Sequence, residues 1–349
     1  MGKRIHHDIA LCLVHDVEDD FSLIIRSNSG HVFYCHIDPS QFVRSPSITK
    51  QYKKCLQAFR GGTEKVHEFY IEDAEEWLLK AFKPLITQLS PSSELEIIAQ
   101  PTLADYFFPK EAHVCDLAAL DDELKPRQLP TKDNGWLSPI VEADTKYLAD
   151  LEQWTHCYAP SDVHINYDRP EESLIKPPKR TTIVGQDGQP TSCFFKQFNT
   201  SMGQFHAKNE LNWLRTFTEA QISFPPEANV SHLVGVVREG DSLLGMLFAW
   251  IEKKILLPKC VWSKTRAAAT PSDVRKRWIS QIRWSLDVLH EKGVTWSCVK
   301  AENILIDRND DAWITIFGNS YVDSWVDKDK AGTLEGDKRG LTRIMDILE

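Results

Sequence analysis

The chain has 349 residues, 42% hydrophobic and 26% charged, so it is long enough for two or three domains and able to bury a substantial core. A formal charge of -9 with no dense Lys/Arg stripe argues against nucleic acid as the expected partner. No run approaches the ~18 apolar residues of a membrane span, so no membrane partner is expected either.

The elements are read in chain order. Ile9–Leu13 and Phe21–Ile25 favour strands, the turn residues SNSG follow, and HVFYCHI (31–37) is a third strand, giving a small antiparallel meander. His31, Cys35 and His36 hint at a metal site, but they sit in the strand pattern and no second ligand pair follows. DPSQF and the polar residues to Lys50 form a loop or short helix. Residues 71–89 place Ala74, Trp77, Leu78, Ala81, Phe82 and Leu85 at helical spacing, with Pro84 bending or ending the helix. SSELEIIAQPTLADYFFP reads as strand, turn and short helix. Residues 125–134 and 168–180 are polar and proline-bearing and read as loops or linkers, with a helix ending near Trp154 between them.

After Arg180 the pattern sharpens. TTIVG-QDGQPT-SCFFKQF is strand, turn, strand, with Asp187-Gly188 as the turn. An amphipathic helix over MGQFHAKNELNWLRTFTEA directs Phe205, Leu211, Leu214 and Phe217 inward. LVGVVREGDSLLGMLFAWIE is a strand pair. A long helix starts at Ser272 and is ended by Gly293, with Trp278, Ile282, Leu286 and Leu289 as its core stripe. ENILID and WITIFG are two short strands. The eight cysteines are scattered without a CxxC and read as reduced thiols, and the expected compartment is the cytoplasm or nucleus.

This order of elements resembles the protein kinase-like superfamily over residues 165–349. Lys196 in CFFKQF matches the strand lysine of kinases, and Glu210, 14 residues later, matches its helix partner. GMLFAWIE matches the strand entering the hinge, which implies that Phe248, Ala249 and Trp250 face an adenine. VLHEKGVTWSCVKAENILID matches the catalytic loop, with Lys300 and Asn303 at their expected spacing from the base position. ITIFG stands where the metal-binding D-F-G lies, and Asp337 where a helix aspartate braces the loop. SWVDKDKAGTLEGD is similar to the degenerate kinase-like (pseudokinase) proteins of filamentous fungi, which carry an N-terminal region without kinase counterpart.

The departures fall on the chemistry. Phosphoryl transfer rests on positioning and electrostatics around the phosphates. The base position holds Cys298, a thiol that is mostly protonated at neutral pH. Losing a positioned base costs about 10²–10⁴ in rate. The metal position holds Ile316, whereas Mg²⁺ needs hard oxygen ligands. Trp296 and Ser297 replace the usual His and Arg. Only Gly185 and Gly188 appear where a glycine-rich phosphate loop is expected, and GQDG reads better as an ordinary hairpin turn, since Asp187 would set negative charge near phosphates. Lys196 and Glu210 have two open roles, nucleotide contact or tying strand to helix. Lys300 and Asn303 likewise serve as ligands or as loop scaffolding.

The expected fold class is α+β. An N-terminal α/β-meander module of unknown role (1–160) precedes a truncated bilobal protein-kinase-like fold (165–349) with a shortened C-lobe. The resemblance implies a catalytically inactive pseudokinase acting in binding or scaffolding, with a protein partner, ATP as the cofactor to test and Mg²⁺ weak or lacking. The alternative is an atypical ATP-dependent kinase with displaced metal ligands, drawn from Asp307, Asp311, Asp323 and Asp327.

Overall fold

The computed structural model describes residues 6–14, 18–61, 69–90, 100–130, 141–185, 188–198, 203–222, 227–261, 270–315 and 325–349. The described residues form sixteen strands and eight α-helices. In chain order they are β1 (His7–Val14), β2 (Phe21–Ser27), β3 (His31–Ile37), β4 (Phe42–Val43), α1 (Pro46–Arg60), α2 (Ile71–Leu89), α3 (Leu103–Phe107), β5 (Glu111–Leu120), β6 (Glu123–Leu129), β7 (Val141–Glu142), α4 (Thr145–Trp154), β8 (Cys157–Tyr158), β9 (His164–Asn166), β10 (Arg180–Val184), β11 (Pro190–Gln197), α5 (Gly203–Glu219), β12 (Leu233–Glu239), β13 (Ser242–Ala249), β14 (Lys253–Leu256), α6 (Leu257–Val261), α7 (Ser272–Glu291), β15 (Ile304–Asp307), β16 (Ala312–Ile314) and α8 (Leu334–Leu348). The fold is α+β. No disulfide joins any of the eight cysteines. No helix among the described residues is long and apolar enough to cross a membrane.

The chain divides into two compact units, and the division is interleaved. Met1–Ser138 groups with Pro160–Thr182, and Pro139–Ala159 groups with Ile183–Glu349. The physical reason is strand pairing by 139–159, described with the second unit.

In the first unit, β1, β2 and β3 form the expected antiparallel meander. It continues into a sheet of order β1-β2-β3-β5-β4, with β6 on β5. β5 lies parallel to β3 and sets Cys115 opposite Cys35. Its buried residues His113, Cys115, Leu117 and Ala119 alternate with less buried ones, as a strand with one covered face requires. Leu23, Ile25, Phe33 and Leu117 pack against Tyr52 and Leu56 of α1 and Leu78, Phe82 and Ile86 of α2. α2 runs through Pro84 to Leu89. The bond lost at proline costs about 3 kcal/mol, and burial of Leu85 and Ile86 beyond it recovers a comparable amount, about 1.5–3 kcal/mol per side chain.

Of the stretches read as polar, the one left open as a loop or short helix and one read as a loop contain regular structure. Residues 46–60 form α1, whose N-terminus is capped by the Asp122 carboxylate accepting from Ser47 N at 3.0 Å and Ile48 N at 3.2 Å. Residues 123–129 form β6, where Pro126 is tolerated at the sheet edge because its missing N–H leaves no ladder bond unmade on the open side. The strand expected over residues 91–99 lies outside the described residues.

In the second unit the sheet runs β8-β12-β13-β11-β10, and β10 carries the chain in from the first unit. Residues 139–159 belong here as a strap. β7 pairs with β13 (Leu243↔Val141), and β8 pairs parallel with β12 (Val236↔Cys157). Between them α4 lies on α5. Leu148 and Leu151 share a buried core with Leu211, Leu214 and Phe217. Arg215 donates to both oxygens of Asp150 (3.1 and 2.9 Å), and the Lys208 ammonium sits 4.9 Å from the Tyr147 ring centre. Where β8 crosses β12, Gly235 has no room for a side chain, since a Cβ would lie 2.5 Å from the Tyr158 ring and 2.6 Å from the His156 carbonyl oxygen. The same core continues to α7, the β15–β16 hairpin and α8 through Trp278, Leu286, Ile304, Ile314 and Ile344.

Candidate functional site

β11 and β13 place four side chains on one sheet face, because directly opposed residues of an antiparallel pair point the same way. Phe194 opposes Phe248, and Lys196 opposes Met246. α5 covers this face with Ala207, Leu211 and Leu214, all buried. Glu210 shares that side of the helix, so its carboxylate is 4% exposed and needs a cation. The Lys196 ammonium supplies it as an ion pair to Glu210 Oε1, with about a quarter of the lysine side chain still open to solvent.

A second cluster forms at the end of α7. Gly293, at φ +74°, ends the helix with Val294 N bonding back to Leu289 O at 2.9 Å. The chain then dives inward, and Trp296 is fully buried. Ser297 takes φ +63°, and Cys298 N donates to Trp296 O at 2.8 Å, closing a tight three-residue turn that costs backbone strain.

Asp337 of α8 holds this turn. Its Oδ2 accepts from Trp296 N at 2.7 Å, its Oδ1 accepts from Ser297 N at 2.9 Å, and His290 Nε2 of α7 lies 3.0 Å from Oδ2. Burial pushes the Asp337 carboxyl above the usual aspartate range, against the hydrogen bonds from His290, Trp296 and Ser297, which favour its anion. α8 comes close because Gly340 has no side chain, since a Cβ there would lie 2.6 Å from Val299 Cβ.

Asn303 fastens the other end of the loop. Its Nδ2 donates to Cys298 O at 2.9 Å, while its own carbonyl accepts from Thr315 N at 2.8 Å and Thr315 Oγ1 at 2.9 Å. The loop is therefore rigidly positioned, and the residue it positions is Cys298, 5% exposed. Lys300, half-buried, precedes the short 3-10 turn Ala301–Asn303.

The remaining assigned residues differ in accessibility. Phe248 is fully enclosed in the core. Ala249 and Trp250 are half-buried, and Trp250 Nε1 donates to Glu252 Oε2 at 3.0 Å. Ile316, Phe317, Gly318, Asp323 and Asp187 lie outside the described residues.

The candidate replacement carboxylates are committed elsewhere. Asp307 Oδ1 accepts from Asn309 N (2.8 Å) and Asp311 N (2.9 Å), and its Oδ2 accepts from Trp313 Nε1 (3.0 Å), so it builds the β15–β16 turn. Asp311 accepts from Gln281 Nε2 at 2.6 Å, and Asp327 pairs with Arg339. Among the described residues no three His, Cys, Asp or Glu converge to hold a metal ion.

Three features escape the sequence reading. His290 stands in VLHEKG, directly after Leu289, the last residue of the α7 core stripe, and only its partner Asp337 reveals its role. The strap at 139–159 is set by pairing with strands nearly a hundred residues away. A cavity of about 180 Å³ lies between the end of α5 and the start of β12, lined by Leu214, Phe217, Ile222, His232 and Leu233 among others. No protein-family model matches the chain, and no curated protein matches it.

Proposed function

We propose that the second unit is a degenerate protein-kinase-like domain, a pseudokinase that works by binding or scaffolding a protein partner. The observation that carries the reading is the rigid loop at 296–303. Asp337 and Asn303 fix it at both ends, yet the side chain it presents at the base position is the Cys298 thiol. A buried thiol has neither the charge nor the oxygen needed to orient and deprotonate a hydroxyl.

The Lys196–Glu210 pair supports a retained nucleotide cleft. A lysine held by a buried glutamate and still partly open is suited to meet a phosphate. ATP fits that half of the site. Mg²⁺ fits poorly. Cys298 and Ile316 carry no side-chain oxygen, which leaves the Asn303 amide oxygen without a carboxylate beside it at the two expected ligand positions. Bound ATP would supply phosphates for Lys196. The residues around it would orient the nucleotide without a base or a metal-ligand pair. The rival, an atypical ATP-dependent kinase, must take its metal ligands from carboxylates, and Asp307, Asp311 and Asp327 are engaged in turns and ion pairs.

Thermal shift with ATP, alone and with Mg²⁺ or Mn²⁺, tests this. The expected result is a shift that metal does not enlarge and that Lys196→Met removes. A shift that appears only with metal contradicts the reading.

A further inference from the structure

We propose that α1 and Phe69 of the first unit form a docking groove for an extended acidic peptide segment of a partner protein. The proposal does not depend on the kinase-like reading, since every residue in it belongs to the first unit.

The groove has a volume of about 740 Å³ and is lined by Pro46, Thr49, Lys50, Lys53, Lys54, Gln57 and Phe69. The helical positions recur at intervals of three and four, so they make one stripe along α1. Eleven residues at 1.5 Å rise give a length of roughly 16 Å. An extended segment of about five residues at roughly 3.3 Å each spans it.

The charge of the stripe is uncompensated. Lys50, Lys53 and Lys54 are exposed, and none meets a carboxylate among the described residues. α1 contains no acidic residue. The neighbouring arginines differ, with Arg44 bonded to Asp121 and Arg60 to Asp19. The three adjacent ammonium groups repel one another, and no carboxylate among the described residues offsets them.

The lysines also stand on a fixed base. The opposite face of α1 is locked into the core by Tyr52, Cys55 and Leu56. The helix N-terminus contributes no attraction, because the Asp122 carboxylate already occupies it. That same carboxylate repels anions at the Pro46 end, so acidic side chains belong at the Lys53–Lys54 end. Phe69 there meets an apolar residue next to the acidic run. A groove about 16 Å long, with an apolar residue beside its lysines, suits a short extended peptide better than a flat anionic lipid surface.

Fluorescence anisotropy with a labelled eight-residue Asp/Glu peptide bearing one Phe provides the test on the full chain. Companion arms use the Asn/Gln version of the peptide, phosphatidylserine vesicles and single-stranded RNA. Saturable binding is expected that weakens with salt, falls about tenfold or more in K50E/K53E/K54E, and falls less in F69A. The substituted side chains are exposed, and an unchanged circular dichroism spectrum shows that the fold persists. No saturable binding, equal binding by the triple variant, equal binding of the neutral peptide, or tighter capture of vesicles or RNA than of the acidic peptide overturns the proposal.

Discussion

The Asp337 carboxylate accepts a hydrogen bond from the main-chain N–H of Trp296 at 2.7 Å, across 41 residues of chain. With the Ser297 N–H on its other oxygen, it satisfies two inward-facing donors of a strained turn. Asp337→Ala strands both donors and His290. A loss of about 2–4 kcal/mol follows from two buried unsatisfied groups, measured as a lower urea midpoint. An unchanged midpoint shows that the turn holds itself.

Gly340 sets how closely α8 approaches the loop. Its Cβ would lie 2.6 Å from Val299 Cβ and 3.1 Å from Val299 O, and a backbone oxygen cannot swing aside. Gly340→Ala therefore destabilises by about 1–3 kcal/mol although alanine is the better helix former. Val299→Ala in the same chain removes only the Cγ1 contact at 2.7 Å and leaves the closer Cβ contact in place. Recovery of less than the full loss is expected, because the carbonyl contact remains.

The Lys196–Glu210 pair behaves as a unit. Lys196→Met leaves a buried carboxylate without its cation and costs about 2–3 kcal/mol, discounted for the lysine's partial exposure. The double change Lys196→Met/Glu210→Met removes the stranded charge and is less destabilised than Lys196→Met alone. Equal losses in the single and double variants rule out a structural role for the pair.

The first unit weakens in mild acid. His31 and His113 lie with ring centres 5.8 Å apart on adjacent strands. Burial pushes both imidazoles below 6.5, His31 lowers His113 further, and Glu111 acts in the opposite direction on both. The folded state thus binds fewer protons than the unfolded state below pH 6.5. Stability from these groups is complete above that pH and is lost as pH falls towards the folded values. The melting temperature of wild type should drop between pH 7.5 and 5.5, and His31→Gln/His113→Gln should flatten that drop. Parallel curves would refute the assignment.

Legibility in the sequence followed the range of the interactions. β1–β3 and the α7 stripe at Trp278, Ile282, Leu286 and Leu289 are local patterns, and each is found where periodicity puts it. β5 went unread although His113, Cys115, Leu117 and Ala119 alternate, because one of its four buried residues is polar and its partner β3 is far away in sequence. β6 carries Pro126, so composition disguised it as a loop, and the polar start of α1 left it open between a loop and a short helix. The pairing of Lys196 with Glu210 was legible through the resemblance to kinases. The burial of Phe248 was not, since β13 is apolar on both faces and its sequence does not mark which one stays open. The helix of the strap, ending at Trp154, was legible locally, whereas its pairing with β12 and β13 and the packing of Leu148 and Leu151 on α5 were not, because those partners lie far away in sequence.

Phosphate transfer from γ-labelled ATP, with Mg²⁺ and with Mn²⁺, tests the central claim most directly. The full chain, whose loop presents Cys298, should show turnover no greater than a heat-denatured control, and Lys196→Arg should change nothing. Metal-dependent turnover that Lys196→Arg abolishes would contradict the account, because it would require a base and metal ligands other than Cys298 and Ile316.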